Sequence, residues 1–194
     1  MPKALFVIDV QVDFCEGGAL AVEGGASVAS KISEYVAKSK GNYDLVITSR
    51  DWHNAEGGNA GHFADPGTDP NFVTSWPVHC VAGTEGANYH PNLDVSAVDV
   101  EIFKGQGSNG YSIFEGVNSS GKPVQQILEE NNIDSVDVVG IATDHCVRAS
   151  ALDARKRDLS VRVITSLTAG VSAQTTEQAI DEMVDSGIQV IPTI

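Results

Sequence analysis

The stretch Val136–Thr165, VDVVGIATDHCVRASALDARKRDLSVRVIT, decides the fold. Its two ends, Val136–Ile141 and Val161–Thr165, are short apolar runs rich in β-branched residues and read as strands. Between them Asp144–Arg157 reads as a helix. A strand, a helix and a strand in succession form a crossover, which places the two strands parallel in one sheet.

Working outward, the same alternation recurs. Ala4–Val10 predicts a first strand, Ser27–Lys40 a helix with Val28, Ile32 and Val36 on one face, and Asp44–Ser49 a second strand. Val98–Lys104 predicts a third strand. Pro123 opens a helix running to about Asn132, at a position where proline is tolerated. After the fifth strand, Ser172 or Thr175 caps a helix through Asp185, Gly187 ends it, and Gln189–Ile191 forms a sixth strand. The expectation is an α/β fold: one doubly wound domain spanning residues 1–194, with a six-stranded parallel sheet flanked by helices.

Composition bounds the function. The chain has 194 residues, 42% of them hydrophobic, and a net charge of −14 with pI near 4.5. An acidic surface repels phosphate backbones and anionic membranes, so neither nucleic acid nor membrane is expected as a partner. No run approaches the roughly 18 apolar residues of a membrane span, and MPKALFVIDVQVDF does not have the pattern of a signal peptide. The three cysteines, Cys15, Cys80 and Cys146, do not make a disulfide framework, and a reducing cytoplasm fits them best.

Ligands of doubly wound folds sit at the carboxyl ends of the strands. Four consecutive strands deliver titratable groups there: Asp9 at the end of the first, Asp51 and His53 after the second, Lys104 at the end of the third, Cys146 beyond the fourth. Cys146 is the candidate nucleophile, because a helix N-terminus favours thiolate. Asp9 is the candidate acid/base, since a carboxylate at the end of a buried strand needs a partner, and Lys104 is the natural one. Cys15 and Cys80 lack this setting and read as structural.

Some fifty residues between the second and third strands are rich in Gly, Asn, Pro, Asp and His. So long an irregular segment within a compact domain is usually functional. It carries Asp51, His53, His62 and His79, a donor set suited to a borderline divalent ion such as zinc, iron or manganese. Eight residues, NAEGGNAG, separate His53 from His62. Of the other histidines, His90 has no assigned role, and His145 reads as orienting or structural because neighbouring helix residues point apart. Phe14, Trp76 and Tyr111 could line a slot for a flat ring.

The segments ALFVIDVQVDFCEGGALAV, TSRDWH, SWPVHCVAGTEGANYHP, FKGQG, YSIFEG and GIATDHCVRASALDA cover nearly the whole chain. Together they resemble the nicotinamidase/pyrazinamidase branch of the isochorismatase-like cysteine hydrolases. The resemblance implies a catalytic triad of Asp9, Lys104 and Cys146, and one divalent transition metal (Zn, Fe or Mn) on Asp51, His53, His62 and His79. It further implies a substrate pocket of Phe14, Trp76, Tyr111 and Ala142, and an oxyanion hole made by the main-chain N–H groups of Ala142 and Cys146. The Ile141–Ala142 peptide is expected to be cis. The implied activity is hydrolysis of nicotinamide, and of pyrazinamide, through a thioester. Another small amide or ureido acid is the alternative substrate, and an inactive metal-binding homologue a remoter one. The implied partner is the small-molecule substrate, and the state a monomer or small homo-oligomer.

Overall fold

The computed structural model describes residues 2–193. Six strands form one sheet: β1 (Lys3–Ile8), β2 (Leu45–Asp51), β3 (Val100–Lys104), β4 (Ser135–Ile141), β5 (Ser160–Ala169) and β6 (Gln189–Ile191). All neighbouring strands pair in parallel, in the order β3-β2-β1-β4-β5-β6. The chain starts in the middle, winds outward to β3, then returns to β4 and winds to β6. The reversal point therefore lies between β1 and β4, where such sheets open a crevice.

Four helices cover the faces: α1 (Gly25–Ser39), α2 (Val124–Glu130), α3 (Arg148–Arg155) and α4 (Ala173–Asp185). Alternate residues of β1 point to opposite sides. Ala4, Phe6 and Ile8 enter a core with α2, α3 and α4, while Leu5 and Val7 enter a second core with α1. Both faces are thus buried, which explains why β1 reads as a continuous apolar run instead of an alternating one. Among the described residues no helix is long and apolar enough to cross a membrane.

The expected elements are all present, with shifted ends. β1 stops at Ile8 because Asp9 turns left-handed, with φ 47°. β5 runs on to Ala169, carried by pairing of Thr168 and Ala169 with Gly140 and Ile141 of β4. Pro123 is the N-cap of α2, not its first residue. Ser172, of the two candidate caps, accepts a bond from the Thr175 N–H and starts α4. The expected helix Asp144–Arg157 splits in two: a π-turn, Thr143–Val147, then α3.

One glycine sets the closeness of the two central strands. Gly140 has φ 117°, and a Cβ there would lie 2.1 Å from the Ile8 carbonyl oxygen. Only glycine lets β4 approach β1 so closely at the end that carries the chemistry.

Candidate active site

The strand order explains why distant residues meet. β3, β2, β1 and β4 are consecutive and parallel, so Lys104, Asp51, Asp9 and Cys146 emerge at one edge. Asp9 and Lys104 are 0% exposed, Asp51 2% and Cys146 6%.

Lys104 is the hub. Its Nζ lies 2.7 Å from Asp9 Oδ2 and 3.7 Å from Cys146 Sγ, and it also bonds Asp51 Oδ1 and the Gly110 carbonyl. Burial alone would lower the Lys104 pKa, but Asp51 and Asp9 outweigh it and raise the pKa well above the ordinary value. Burial raises Asp9; Lys104 pulls it back and Asp51 pushes it up, with a net position at about 6. Ser49 Oγ donates to the other Asp9 oxygen at 2.7 Å. Asp51 stays below the ordinary carboxylate range, because Lys104 and His53 outweigh the effect of its burial.

Cys146 departs from the sequence expectation of a lowered pKa. Burial raises its thiol well above the ordinary value; Lys104 opposes this, and Asp9 and Asp51 reinforce it. The residue sits inside the π-turn, ahead of α3, with two carboxylates at hand. A resting thiol here needs a base to become a nucleophile.

The three loop histidines come together beside this cluster. One ring nitrogen from each of His53, His62 and His79 lies within 4.8 Å of the others. His53 Nδ1–H donates to the Gly105 carbonyl at 2.8 Å and His79 Nδ1–H to the Pro77 carbonyl at 2.7 Å. These bonds fix the tautomers and leave each Nε2 as a lone pair. Both Nε2 atoms face Asp51 Oδ2, at 3.5 and 3.9 Å. Gly105 has to be glycine for this: a Cβ would lie 2.5 Å from the His53 ring.

His53 Nε2 and both nitrogens of His62 are buried without a hydrogen-bond partner among the described residues. Burial, then the neighbouring His53 and His79, push His62 down to about 3, and burial lowers His79 as well. Imidazole nitrogens buried without partners, beside the Asp51 carboxylate, fit a divalent cation.

Above the cluster lies a cavity. Phe14, Trp76, Tyr111 and Ala142 line it together with Asp51, His62, His79 and Cys146. Trp76 Nε1 donates to Tyr111 Oη at 2.9 Å, tying two walls together. The Ile141–Ala142 peptide is cis. Cys15 and Cys80 are buried elsewhere, and burial pushes the Cys15 thiol up to about 12.

Sequence reading missed several contributors. His145 does not point away from Cys146; it lines the same cavity and packs edge-on against Trp76 at 5.1 Å. Leu20, Val22 and Val171 also line the cavity, and no chemical signal marks such residues in sequence. Gln11 is fully buried and brackets the Asp51 peptide: Oε1 accepts from Asp51 N–H at 2.8 Å and Nε2 donates to its carbonyl at 2.9 Å. The QVDF segment two residues after Asp9 carried that signal, a polar residue where a strand end should be apolar.

The chain is similar to known proteins in sequence and in fold. A nicotinamidase/pyrazinamidase of Mycobacterium tuberculosis is 48% identical over 97% of this chain and 98% of its own. A pyrazinamidase of Pyrococcus horikoshii, solved in complex with zinc, superposes with TM-score 0.82 at 35% identity, over 98% of this chain and 99% of that one. A protein of L. infantum solved in complex with nicotinate superposes with TM-score 0.82 at 31% identity, over 98% of this chain and 92% of that one. The Isochorismatase domain pattern matches residues 3–194, and the chain belongs to that family.

Proposed function

We propose that this chain is a nicotinamidase, hydrolysing nicotinamide to nicotinic acid and ammonia and accepting pyrazinamide as well. The observation that carries the reading is the contact of Lys104 with both Asp9 and Cys146 at the base of an aromatic-walled cavity, beside the histidine cluster. The names of the relatives support the substrate.

In this mechanism Asp9 accepts the Cys146 proton and Lys104 balances the charge. The thiolate attacks the amide carbon, forming the S–C bond while the carbonyl electrons move to oxygen. The main-chain N–H groups of Ala142 and Cys146 receive that oxyanion, a contribution of about 3 kcal/mol per donor in comparable sites. Asp9 returns the proton to nitrogen, ammonia leaves and a thioester remains. Asp9 then takes a proton from water, the hydroxide breaks the S–C bond, and nicotinic acid departs from the restored thiol.

Asp51, His53, His62 and His79 would hold one divalent ion, of which zinc, iron and manganese all suit the donors. When bound, that ion supplies a Lewis-acid point for the pyridine nitrogen, directly or through water. Phe14, Trp76 and Tyr111 hold the ring flat and exclude solvent. The single-domain organisation and a cytoplasmic location belong to the same reading; three buried free thiols support a reducing compartment.

Ammonia release from nicotinamide tests the proposal. Turnover that requires Cys146 is the expected result. A metal-loaded, folded protein inert toward nicotinamide but active on another small amide would move the substrate to the alternative class.

A further inference from the structure

The segment between His53 and His62 runs through five consecutive left-handed residues: Gly57, Gly58, Asn59, Ala60 and Gly61, with φ 82°, 60°, 48°, 58° and 85°. Left-handed backbone is disfavoured for a residue with a Cβ, so this path needs something outside the local sequence to hold it. Asn59 supplies that hold. It is 1% exposed although it lies in a polar, glycine-rich loop. Its side-chain amide brackets the backbone of Asn54, with Oδ1 accepting from the N–H and Nδ2 donating to the carbonyl, both at 3.0 Å. Oδ1 also accepts from the Gly107 N–H at 3.0 Å.

Each of these attachments leads to the histidine cluster. Asn54 follows His53. Gly107 belongs to the same turn as Gly105, whose carbonyl orients the His53 ring. The Asn59 carbonyl accepts from His62 N–H at 3.2 Å. The rings of His53 and His79 are each fixed by a carbonyl bond, whereas His62 has no such partner among the described residues. The His62 ring lies 4.7 Å from the His53 ring and packs against Phe63, His79 and Tyr111 with no hydrogen bond to orient it, and Asn59 anchors the N-terminal side of the backbone that carries it.

We propose that Asn59 is a positioning residue of the metal centre, acting through His62 by fixing the loop to the Asn54 and Gly107 backbone. The inference rests on reading the histidine cluster as a metal site.

The test is metal affinity. The full-length protein, stripped with a chelator, is titrated with zinc in competition with a chromophoric chelator. Asn59→Gly is the main variant, because glycine takes φ 48° freely and the change removes the side chain without penalising the backbone. Its Kd is expected to rise at least about tenfold, the usual range for outer-shell partners. His62→Ala should show a similar loss. The double variant should bind no more weakly than His62→Ala alone, since Asn59 has nothing left to position. Asn59→Asp keeps both bonds that Oδ1 accepts and should lose less than Asn59→Gly. Wild-type affinity in Asn59→Gly, or losses that multiply in the double variant, would overturn the inference. Wild-type affinity in His53→Ala would instead overturn the metal reading itself.

Discussion

Lys104 Nζ stands 2.7 Å from Asp9 Oδ2, and both side chains are fully buried. The pair is not isolated: the same ammonium reaches Asp51 and Cys146. One cation therefore spans the proposed acid/base, the proposed nucleophile and the carboxylate of the proposed metal centre. Asp9→Asn should keep this shape but cannot accept a proton. We expect kcat/KM to fall about a hundred- to ten-thousandfold with the circular dichroism spectrum unchanged. Near wild-type turnover would place the base elsewhere.

The position of Asp9 also sets a pH profile. Its pKa is raised to about 6, and it must be a carboxylate to take the thiol proton. The carboxylate fraction falls as pH drops below that value, so activity is lost on the acid side. kcat/KM measured from about pH 5 to about pH 8 should show an acid limb near 6. A profile flat through that range would detach Asp9 from the rate.

Cys146→Ala should be folded and inactive. Cys15 and Cys80 are 0% exposed and line no part of the cavity, while Cys146 opens to it. Iodoacetamide should therefore label Cys146 first, seen by peptide mass spectrometry, and Asp9→Asn should slow that labelling. Residual turnover in the alanine variant would exclude a covalent intermediate at this thiol.

The cavity predicts discrimination at the ring. Nicotinamide and pyrazinamide both carry a nitrogen meta to the carboxamide, and benzamide has the same outline without it. A site built around a polar partner rejects an analogue lacking it strongly, so benzamide should lose at least about a hundredfold in kcat/KM. Ammonia release from the three amides, measured side by side, decides this. Equal rates would mean that the ring nitrogen is not read.

At the other end of β4, Asp137 is fully buried and bonded to Arg162 at 2.7 and 2.6 Å, Lys3 at 2.6 Å and Tyr43 at 2.6 Å. Burial would raise its pKa, but Arg162, Lys3 and Tyr43 outweigh this and hold it below the ordinary 3.8. A depressed carboxylate stabilises the fold above that ordinary value and loses the contribution as pH falls through the folded one. Asp137→Asn should lower stability by about 2–3 kcal/mol at neutral pH, discounted because Lys3 and Arg162 are partly exposed. Urea unfolding should report that loss with kcat unchanged, and the gap between variant and wild type should narrow in acid.

The sequence by itself determined the layers and the identity of the reactive groups. Apolar runs such as Phe6–Ile8 and Val161–Ile164, interrupted at most by one polar residue, specify buried strands, because hydrophobic pattern is a local property that short segments carry on their own. The crossover rule then sends Asp9, Asp51, Lys104 and Cys146 to one edge with no knowledge of contacts. Tertiary structure decided everything that depends on two segments at once. Asp9 turns left-handed where the strand pattern continued to Val10, the turn at Cys146 is π and not α, and His145 lines the cavity beside Cys146. The Cys146 pKa rises where a helix end alone would lower it, since burial and carboxylates from other strands dominate at that depth. His62 reaches its partners through a loop held by Asn59, a side chain that carries no signal until the backbone of Gly107 is beside it. Backbone geometry at strand ends and the charge around a buried group are set by neighbours distant in the chain, and no local pattern encodes those neighbours.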